Sequence, residues 1–323
     1  INRYLESELS GSDVQYRCFR CRNCSSCRQG ELIESISLKE EKEQYSIEQS
    51  VSYDAVLKKL TAKLPFIANP AEHLHPNRFI AEKILQSQLK LVSKSDQMRD
   101  DVIAAHEKLL SRGYVLPLHD LPDDVRAKVT DPAHPRYIIP WRTVAKPGSI
   151  STPVRMVFDA SSATPSGQSL NCVLAKGVNK LLNIQHILTR FRTGKSGFIS
   201  DIKMAYNNVA LHEDFIRYQL YLWKPNLDPD APTELMAVLT VIYGVRPSGN
   251  QLQAGLGLLG QHCIDNHPEH SEGALTVMNN TYVDDILAPA DDHVHAESLA
   301  KSCEFTLGLG SPTVKSYTFA GPV

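Results

Sequence analysis

The feature that most constrains this chain is a pair of adjacent aspartates, Asp284 and Asp285, in the stretch NNTYVDDIL (279–287). Neighbouring carboxylates repel each other, and neither is well solvated inside an apolar strand. The pair is therefore either exposed at a turn or neutralised by a bound cation. Asn279-Asn280, just upstream, predicts a hairpin that would place both aspartates just past a tight turn.

A third carboxylate favours the cation. Asp201 follows the apolar run GFIS (197–200), where an expected strand turns polar at its end. Three carboxylates from two adjacent strands could bind two Mg²⁺, a hard cation that prefers oxygen ligands. Two such ions, about 3.5–4 Å apart, can hold the attacking and leaving oxygens of a phosphoryl displacement. A solvated turn is the alternative for the pair alone.

Charge is unevenly distributed along the 323 residues, although the chain as a whole carries only −2. Residues 101–200 carry a net charge of +6 and residues 201–323 a net charge of −9, while residues 160–200 contain no acid. A basic lobe beside an acidic one suits a polyanion held against a carboxylate centre, with ordinary surface charge as the alternative. No apolar run approaches membrane-spanning length, so no membrane partner is expected.

Four of the seven cysteines form a cluster with the spacing C-x2-C-x2-C-x2-C. Four thiolates within ten residues favour a metal, with zinc as the first candidate, against a redox-sensitive or metal-free segment. The other cysteines are far apart, which is unlike a secreted disulfide framework and predicts a reducing, cytoplasmic compartment. The clustered residues are Cys18, Cys21, Cys24 and Cys27.

Composition divides the chain into a Cys-rich and helical linker over residues 1–76, a helical lead-in over 77–130, and a mixed region over 131–323. Apolar residues recur at helical spacing between Asn77 and Gly113, a natural helix stop. In the third region, expected strands are RYIIPWRTVAK, PVRMVFDA, GFISDI, YQLYLW, ELMAVLTVIYG and TVKSYTFAG. Expected helices are NIQHILTRFRTG, GNQLQAGLGLLGQHCID and HVHAESLAKSCEFTLGLG. This pattern predicts an α+β fold.

Four motifs in order, PVRMVFDAS, FISDIKMAY, YGVRPSGNQ and YVDD, resemble the polymerase core of reverse transcriptases, in particular those of the Pao branch of BEL/Pao retrotransposons. The resemblance extends from about Arg136 to the C-terminus. It implies reverse-transcriptase fingers and palm, with a ferredoxin-like antiparallel palm sheet backed by helices. The segment CFRCRNCSSC resembles the part of such polyproteins between protease and polymerase.

The resemblance also implies roles for individual residues. Asp201, Asp284 and Asp285 would be the catalytic carboxylates that bind Mg²⁺ or Mn²⁺, and the carbonyl of Ile202 would be a further metal ligand. Tyr206 matches the bulky residue that lies under the incoming sugar and excludes a 2′-hydroxyl.

Other residues match positions that contact the nucleotide. Arg155 matches a fingers arginine that grips the triphosphate, a task suited to its bidentate guanidinium. Lys146 would be a second phosphate ligand, Gly244 would lie near nucleotide and template, and Lys315 matches a late-motif lysine. The family's alanine–proline is replaced by Gly249-Asn250, which puts the contacts of that pair in doubt.

The implied function is RNA-directed DNA polymerisation, with an RNA template, a DNA primer and deoxynucleoside triphosphates as partners. Because the chain begins at Ile1 and stops at Val323 within an expected strand, we expect a fragment of a polyprotein that also contains protease, thumb, RNase H and integrase. Its expected location is cytoplasmic, including virus-like particles. The alternative is a decayed or domesticated, non-catalytic fragment that retains nucleic-acid binding. Tyr206 disfavours an RNA-templated RNA polymerase.

Overall fold

The computed structural model describes residues 37–145, 154–164, 166–178, 182 and 184–321. The described residues from 42 onward belong to one compact unit. The described residues make a mixed α+β protein whose sheets are small and mainly antiparallel, which confirms the predicted fold class at that level.

The helices and strands follow one another in mixed order along the chain. The helices are α1 (Leu38–Gln49), α2 (Pro70–His73), α3 (Arg78–Val92), α4 (Asp96–Leu110), α5 (Asp123–Thr130), α6 (Leu170–Val173), α7 (Ile184–Phe191), α8 (Ser248–Asn266), α9 (Ser271–Asn279) and α10 (His293–Gly308). The strands are β1 (Val51–Asp54), β2 (Lys59–Ala62), β3 (Val115–Pro117), β4 (Trp141–Ala145), β5 (Val154–Phe158), β6 (Ser196–Ile202), β7 (Val209–Leu211), β8 (Leu220–Trp223), β9 (Glu234–Val238), β10 (Thr281–Tyr282), β11 (Asp285–Ala290) and β12 (Val314–Ala320).

The largest sheet has four antiparallel strands in the order β10-β11-β6-β12. Along the chain, these four strands and the long helices α8 and α10 follow the order β6-α8-β10-β11-α10-β12. Because side chains alternate between the two faces of a strand, Phe198, Ile202 and Ile286 are buried against helices on one face. Ile199, Asp201 and Asp285 lie on the other face.

The buried face of this sheet forms what we call the sheet core, built around Phe198, Ile202, Leu259, Ile286 and Leu299. These side chains come from β6, β11, α8 and α10, and each is at most 3% exposed. Burying five large apolar side chains of this kind stabilises the fold by roughly 1.5–3 kcal/mol each. The sheet core therefore fixes the positions of β6 and β11 relative to each other.

A second group of buried residues forms the aromatic core, built around His106, Tyr137, Trp141, Tyr221 and Trp223. Helices α3 and α4 pack there beside the sheet β3-β9-β8 and the hairpin β4-β5. The indole N–H of Trp141 donates to the carbonyl of Leu222 at 2.9 Å, so its polar atom is satisfied although the ring is buried.

Strands β1 and β2 form a hairpin that joins β7 through parallel pairing of β2. The side-chain amide of Gln251 in α8 donates to Ser50 Oγ at 3.0 Å and to the carbonyl of Lys63 at 2.7 Å. Both residues lie at the open end of this hairpin. Sequence patterning did not predict these strands. The predicted boundary at residue 76 stays a prediction, but residues 42–76 belong to the same compact unit as residues 77–323.

The hairpin predicted at Asn279-Asn280 is wrong in position. Helix α9 continues to Asn279, because Ala274 and Val277 bury its apolar side in the sheet core. The turn lies at Val283-Asp284, between a two-residue β10 and the start of β11. Asp284 therefore lies in the turn itself.

Most other predicted elements of the third region are confirmed with shorter bounds. The predicted strand over residues 234–244 ends at Val238, and the predicted helix over residues 183–194 ends at Phe191. Gly113 has φ +68 and lies three residues past the end of α4, where its N–H donates to the carbonyl of Leu110, as expected for a helix stop. Among the described residues, none of the helices is long and apolar enough to cross a membrane.

Candidate active site

The register of the four-stranded sheet places two of the predicted carboxylates face to face. Asp201 on β6 and Asp285 on β11 are direct cross-strand neighbours. Residues in such positions have Cβ atoms about 4.5–5.5 Å apart. Alternation along β11 buries Ile286 toward the helices, so Asp285 points to the opposite face, where it is exposed. Asp201 is half-buried beside it.

The third carboxylate is held next to them by a tight turn. The backbone N–H of Ile202 donates to the carbonyl of Asp284 at 2.7 Å, so the turn is fixed against the end of β6. The first loop residue, Val283, has φ +61, the sign that type I′ and II′ hairpin turns require. Positive φ is unfavourable for a β-branched residue, and backbone strain of this kind clusters at functional sites.

The electrostatics of the carboxylates reflect their proximity. Burial, followed by the negative charges of Asp285 and Asp201, raises the pKa of Asp284, and the positive charge of Arg155 partly opposes this. Burial and the charge of Asp201 raise the pKa of Asp285. The three side chains therefore repel one another, and a cation between them would relieve that repulsion.

The donor set suits a hard divalent cation, because carboxylate oxygens are the ligands that Mg²⁺ prefers. In the part of the chain that the structure describes, no group of three or more His, Cys, Asp and Glu side chains is already closed around one metal position. Asp201, Asp284 and Asp285 are therefore neighbours at one end of the central strands β6 and β11, a group called here the carboxylate edge. They are not drawn into a coordination shell.

Tyr206 lies beside this edge, on a 3-10 turn that follows the end of β6. Burial first, and then the charge of Asp284, raises the pKa of Tyr206 to about 12. Its ring meets that of Tyr243 edge to face, with centroids 5.7 Å apart and planes at 80°. A Cβ placed on Gly249 would lie 4.0 Å from its hydroxyl, so the ring is bounded by the start of α8.

Arg155 lies on β5, paired with Val144 of β4, and its side chain is exposed. Its positive charge lowers the pKa of Asp284, which places the guanidinium within electrostatic reach of the carboxylates. The other expected phosphate ligand of the fingers, Lys146, lies outside the described residues, as do Cys18, Cys21, Cys24 and Cys27.

Gly244 has φ +104, and a Cβ built on it would lie 2.1 Å from the carbonyl oxygen of Phe158. Only glycine fits there, which is a physical reason for this residue in the motif YGVRPSGNQ. The side chain of Asn171 donates to the carbonyl of Gly244 at 2.9 Å and accepts from the N–H of Arg246 at 2.8 Å. The loop is thereby fixed beside the end of β5.

Lys315 lies on β12 at an irregularity in its pairing with β6, between the pairs Val314–Ile202 and Tyr317–Ser200. It is therefore one strand away from Asp201 and at nearly the same level. Its side chain is exposed, and it makes no ion pair with the carboxylates among the described residues.

Sequence reasoning missed two residues at this site. Tyr243 directly precedes Gly244 in a motif that had been singled out, so an aromatic side chain next to a required glycine was an available signal. Asn171 had no such signal, because its two hydrogen bonds to the Gly244 loop join residues more than 70 positions apart.

The sequence matches no protein-family model. No curated protein is significantly similar to it.

Proposed function

We propose that this chain is the catalytic core of a nucleotidyltransferase that uses divalent metal ions. More particularly, we propose the fingers and palm of an RNA-directed DNA polymerase from a BEL/Pao-type retrotransposon polyprotein. The observation that carries the proposal is the pairing of Asp201 with Asp285 across β6 and β11. Asp284 lies in the turn just before β11, and Arg155 is in electrostatic reach.

The chain order of the four-stranded sheet supports the palm assignment. Its elements follow the order β-α-β-β-α-β, the arrangement of ferredoxin-like folds. In this arrangement the carboxylates lie on the face of the sheet opposite the sheet core. That face is the one on which a primer terminus could approach without disturbing the packing of α8 and α10.

The metal site would consist of Asp201, Asp284, Asp285 and the carbonyl of Ile202. Bound Mg²⁺ or Mn²⁺ would supply charge stabilisation to the attacking and leaving oxygens. The protein's own part is to hold Asp201 and Asp285 on two paired strands and Asp284 on the turn before β11. Arg155 then binds the triphosphate through its planar guanidinium, which suits bidentate recognition of phosphate oxygens.

Tyr206 would discriminate between sugars by shape. Its ring is half-buried, braced by Tyr243 and close to Asp284, so it cannot easily move away from a nucleotide bound at the carboxylates. A rigid ring at that position leaves no room for a 2′-hydroxyl. The selection of deoxynucleotides therefore follows from packing rather than from a hydrogen bond.

The central experiment is Asp284→Asn, assayed for extension of a DNA primer on an RNA template with deoxynucleotides and Mg²⁺. The amide keeps the shape of the side chain but is a weak ligand for a hard dication, so activity should fall roughly a thousandfold or more. Asp291→Asn is the matched control, because Asp291 is an exposed aspartate just past the end of β11. Extension by Asp284→Asn at the parent rate would refute the assignment. No extension by the parent protein would instead favour the alternative of a non-catalytic fragment that binds nucleic acid.

Tyr206→Val tests the choice of sugar. We expect incorporation of ribonucleotides relative to deoxynucleotides to rise about tenfold or more, since a steric exclusion is worth at least ~1.4 kcal/mol. Tyr206→Phe should retain the parent preference, because the ring and its packing are kept. A Tyr206→Val protein that folds normally and keeps the parent ratio of kcat/KM values would exclude the steric role.

A further inference from the structure

A small cleft lies where three segments meet: the connection between α4 and β3, the turn after β6, and the segment before β12. Its volume is about 290 Å³, and no acidic side chain lines it. The lining residues are Arg112, Tyr114, Lys203, Asn208, Ser311 and Thr313.

Two of these residues bring positive charge into the cleft. Arg112 and Lys203 are exposed, and neither forms an ion pair with any acid among the described residues. One guanidinium nitrogen of Arg112 contacts the sulfur of Met204, which directs it toward the end of β6. Two cations in one cleft repel each other, so a bound anion would lower the energy of both.

Hydrogen bonds to backbone carbonyls fix the segments that form the wall of the cleft. The N–H of Lys203 donates to the carbonyl of Thr313 at 2.8 Å, which joins the turn after β6 to the segment before β12. The side-chain amide of Asn208 donates to the carbonyl of Lys203 at 3.0 Å. The hydroxyl of Ser311 donates to the carbonyl of Lys58 at 3.1 Å. Tyr114 and Thr313 also line the cleft, and among the described residues their hydroxyl groups make no hydrogen bond to the protein.

The cleft is close in the chain to the carboxylate edge. Lys203 is two residues past Asp201, and the intervening Ile202 is bonded to the turn that carries Asp284. The two sites have opposite charge: the carboxylate edge suits cations, whereas this cleft suits an anion.

We propose that the cleft binds a phosphate-bearing anion. Arg112 offers a planar fork of donors that fits phosphate oxygens, Lys203 adds a point charge, and the hydroxyl groups of Tyr114 and Thr313 can donate to the remaining oxygens. A volume near the lower limit for ligand sites suits one or two phosphoryl groups rather than a whole nucleotide. The source of the phosphate is either free pyrophosphate or a phosphodiester of bound nucleic acid. Pyrophosphate as the ligand rests on the proposed function, because nucleotidyl transfer releases pyrophosphate. The binding of an anion in this cleft does not depend on that function.

The test is equilibrium binding of sodium pyrophosphate and of a short RNA–DNA hybrid duplex to the whole chain. EDTA is present throughout, so that metal ions at the carboxylates cannot contribute. The double variant Arg112→Gln/Lys203→Gln should bind one of these ligands about tenfold or more weakly, since even one lost charged hydrogen bond is worth about that factor. Lys108→Gln on α4 is the control for charge, because Lys108 is exposed and is not among the lining residues.

Each outcome distinguishes the alternatives. Weaker pyrophosphate binding by the double variant, with Lys108→Gln unchanged, supports a site for the free anion. Weaker binding of the duplex alone supports a contact with a nucleic-acid phosphate. Unchanged affinity for both ligands, in a double variant that unfolds at the parent temperature, overturns the proposal. Because no polymerase activity is measured, a failure of the proposed function would leave these results interpretable.

Discussion

The aromatic core and the carboxylate edge of the sheet both remove titratable groups from water, with opposite chemical results. In the aromatic core, His106 is stacked on Trp223 with ring centroids 3.8 Å apart, and its Nε2 is 2.9 Å from the hydroxyl of Tyr221. Burial alone lowers the pKa of this histidine to about 4. The imidazole is therefore neutral, hydrogen-bonded and part of the packing.

At the carboxylate edge, burial is joined by repulsion between like charges. Burial and the charges of Asp285 and Asp201 raise the pKa of Asp284, and burial with the charge of Asp201 raises the pKa of Asp285. Arg155 offsets this only in part. The aromatic core thus satisfies its titratable group, whereas the carboxylates at the end of β6 and β11 repel one another.

This difference separates structural from functional perturbation of a pKa. A shift caused by burial alone, in a group with a hydrogen-bond partner, is consistent with a role in stability. A shift to which several like charges contribute, on an accessible face, indicates a ligand set. Variants of the two regions should therefore change stability in opposite directions.

The largest expected effect is in the aromatic core. His106→Ala removes a stacked ring and leaves the buried hydroxyl of Tyr221 without its partner, so the free energy of unfolding should fall by about 4 kcal/mol. Urea unfolding at neutral pH measures it. His119→Ala, at an exposed position, should change stability by less than about 0.5 kcal/mol. A loss below about 1 kcal/mol in His106→Ala would mean that the histidine is not part of the packing.

A somewhat smaller loss of stability is expected when the pH is lowered. The pKa of His106 is lowered from 6.5 to about 4 by burial, so the unfolded chain binds an extra proton between these values. The stability that depends on neutral His106 is complete above pH 6.5 and is lost as the pH falls toward 4, by roughly 3 kcal/mol. Unfolding measured across this range should show the slope in the parent protein and not in His106→Gln. Parallel pH profiles for the two proteins would contradict the assignment.

The smallest effect has the opposite sign and concerns the carboxylate edge. Because the pKa of Asp284 is raised in the folded protein, its charge is destabilising at neutral pH and harmless below its ordinary value of 3.8. In EDTA, Asp284→Asn should therefore raise the free energy of unfolding, by no more than about 1 kcal/mol after solvent screening. Thermal unfolding in EDTA measures it, with Asp291→Asn as the control.

Added Mg²⁺ should reverse that order. At about ten times its Kd, the ion would stabilise the parent protein by about 1.4 kcal/mol and the variant by less, because only the intact site binds it well. Equal stabilisation of both proteins would mean that the aspartate pair is a solvated turn and not a metal site.

The sequence by itself determined most of what is local. The apolar run that turns polar in GFISDI predicted β6 with Asp201 near its end, and helical spacing predicted α3, α4 and α10. Residue types also carried part of the candidate chemistry, since the paired aspartates were visible before any fold was known. Arg155 and Tyr206 entered through the resemblance of their motifs. Such patterns are readable because they depend on neighbours within a few positions.

Only the tertiary structure decided which distant residues meet. The register that places Asp201 opposite Asp285 is a pairing over more than 80 residues. The turn is at Val283-Asp284 rather than at the paired asparagines, because packing of α9 on the sheet core outweighs the local turn signal. The parallel pairing of β2 with β7 has no local signature either. In each case the deciding free energy comes from burial between segments that are remote in sequence, and no short stretch of sequence records it.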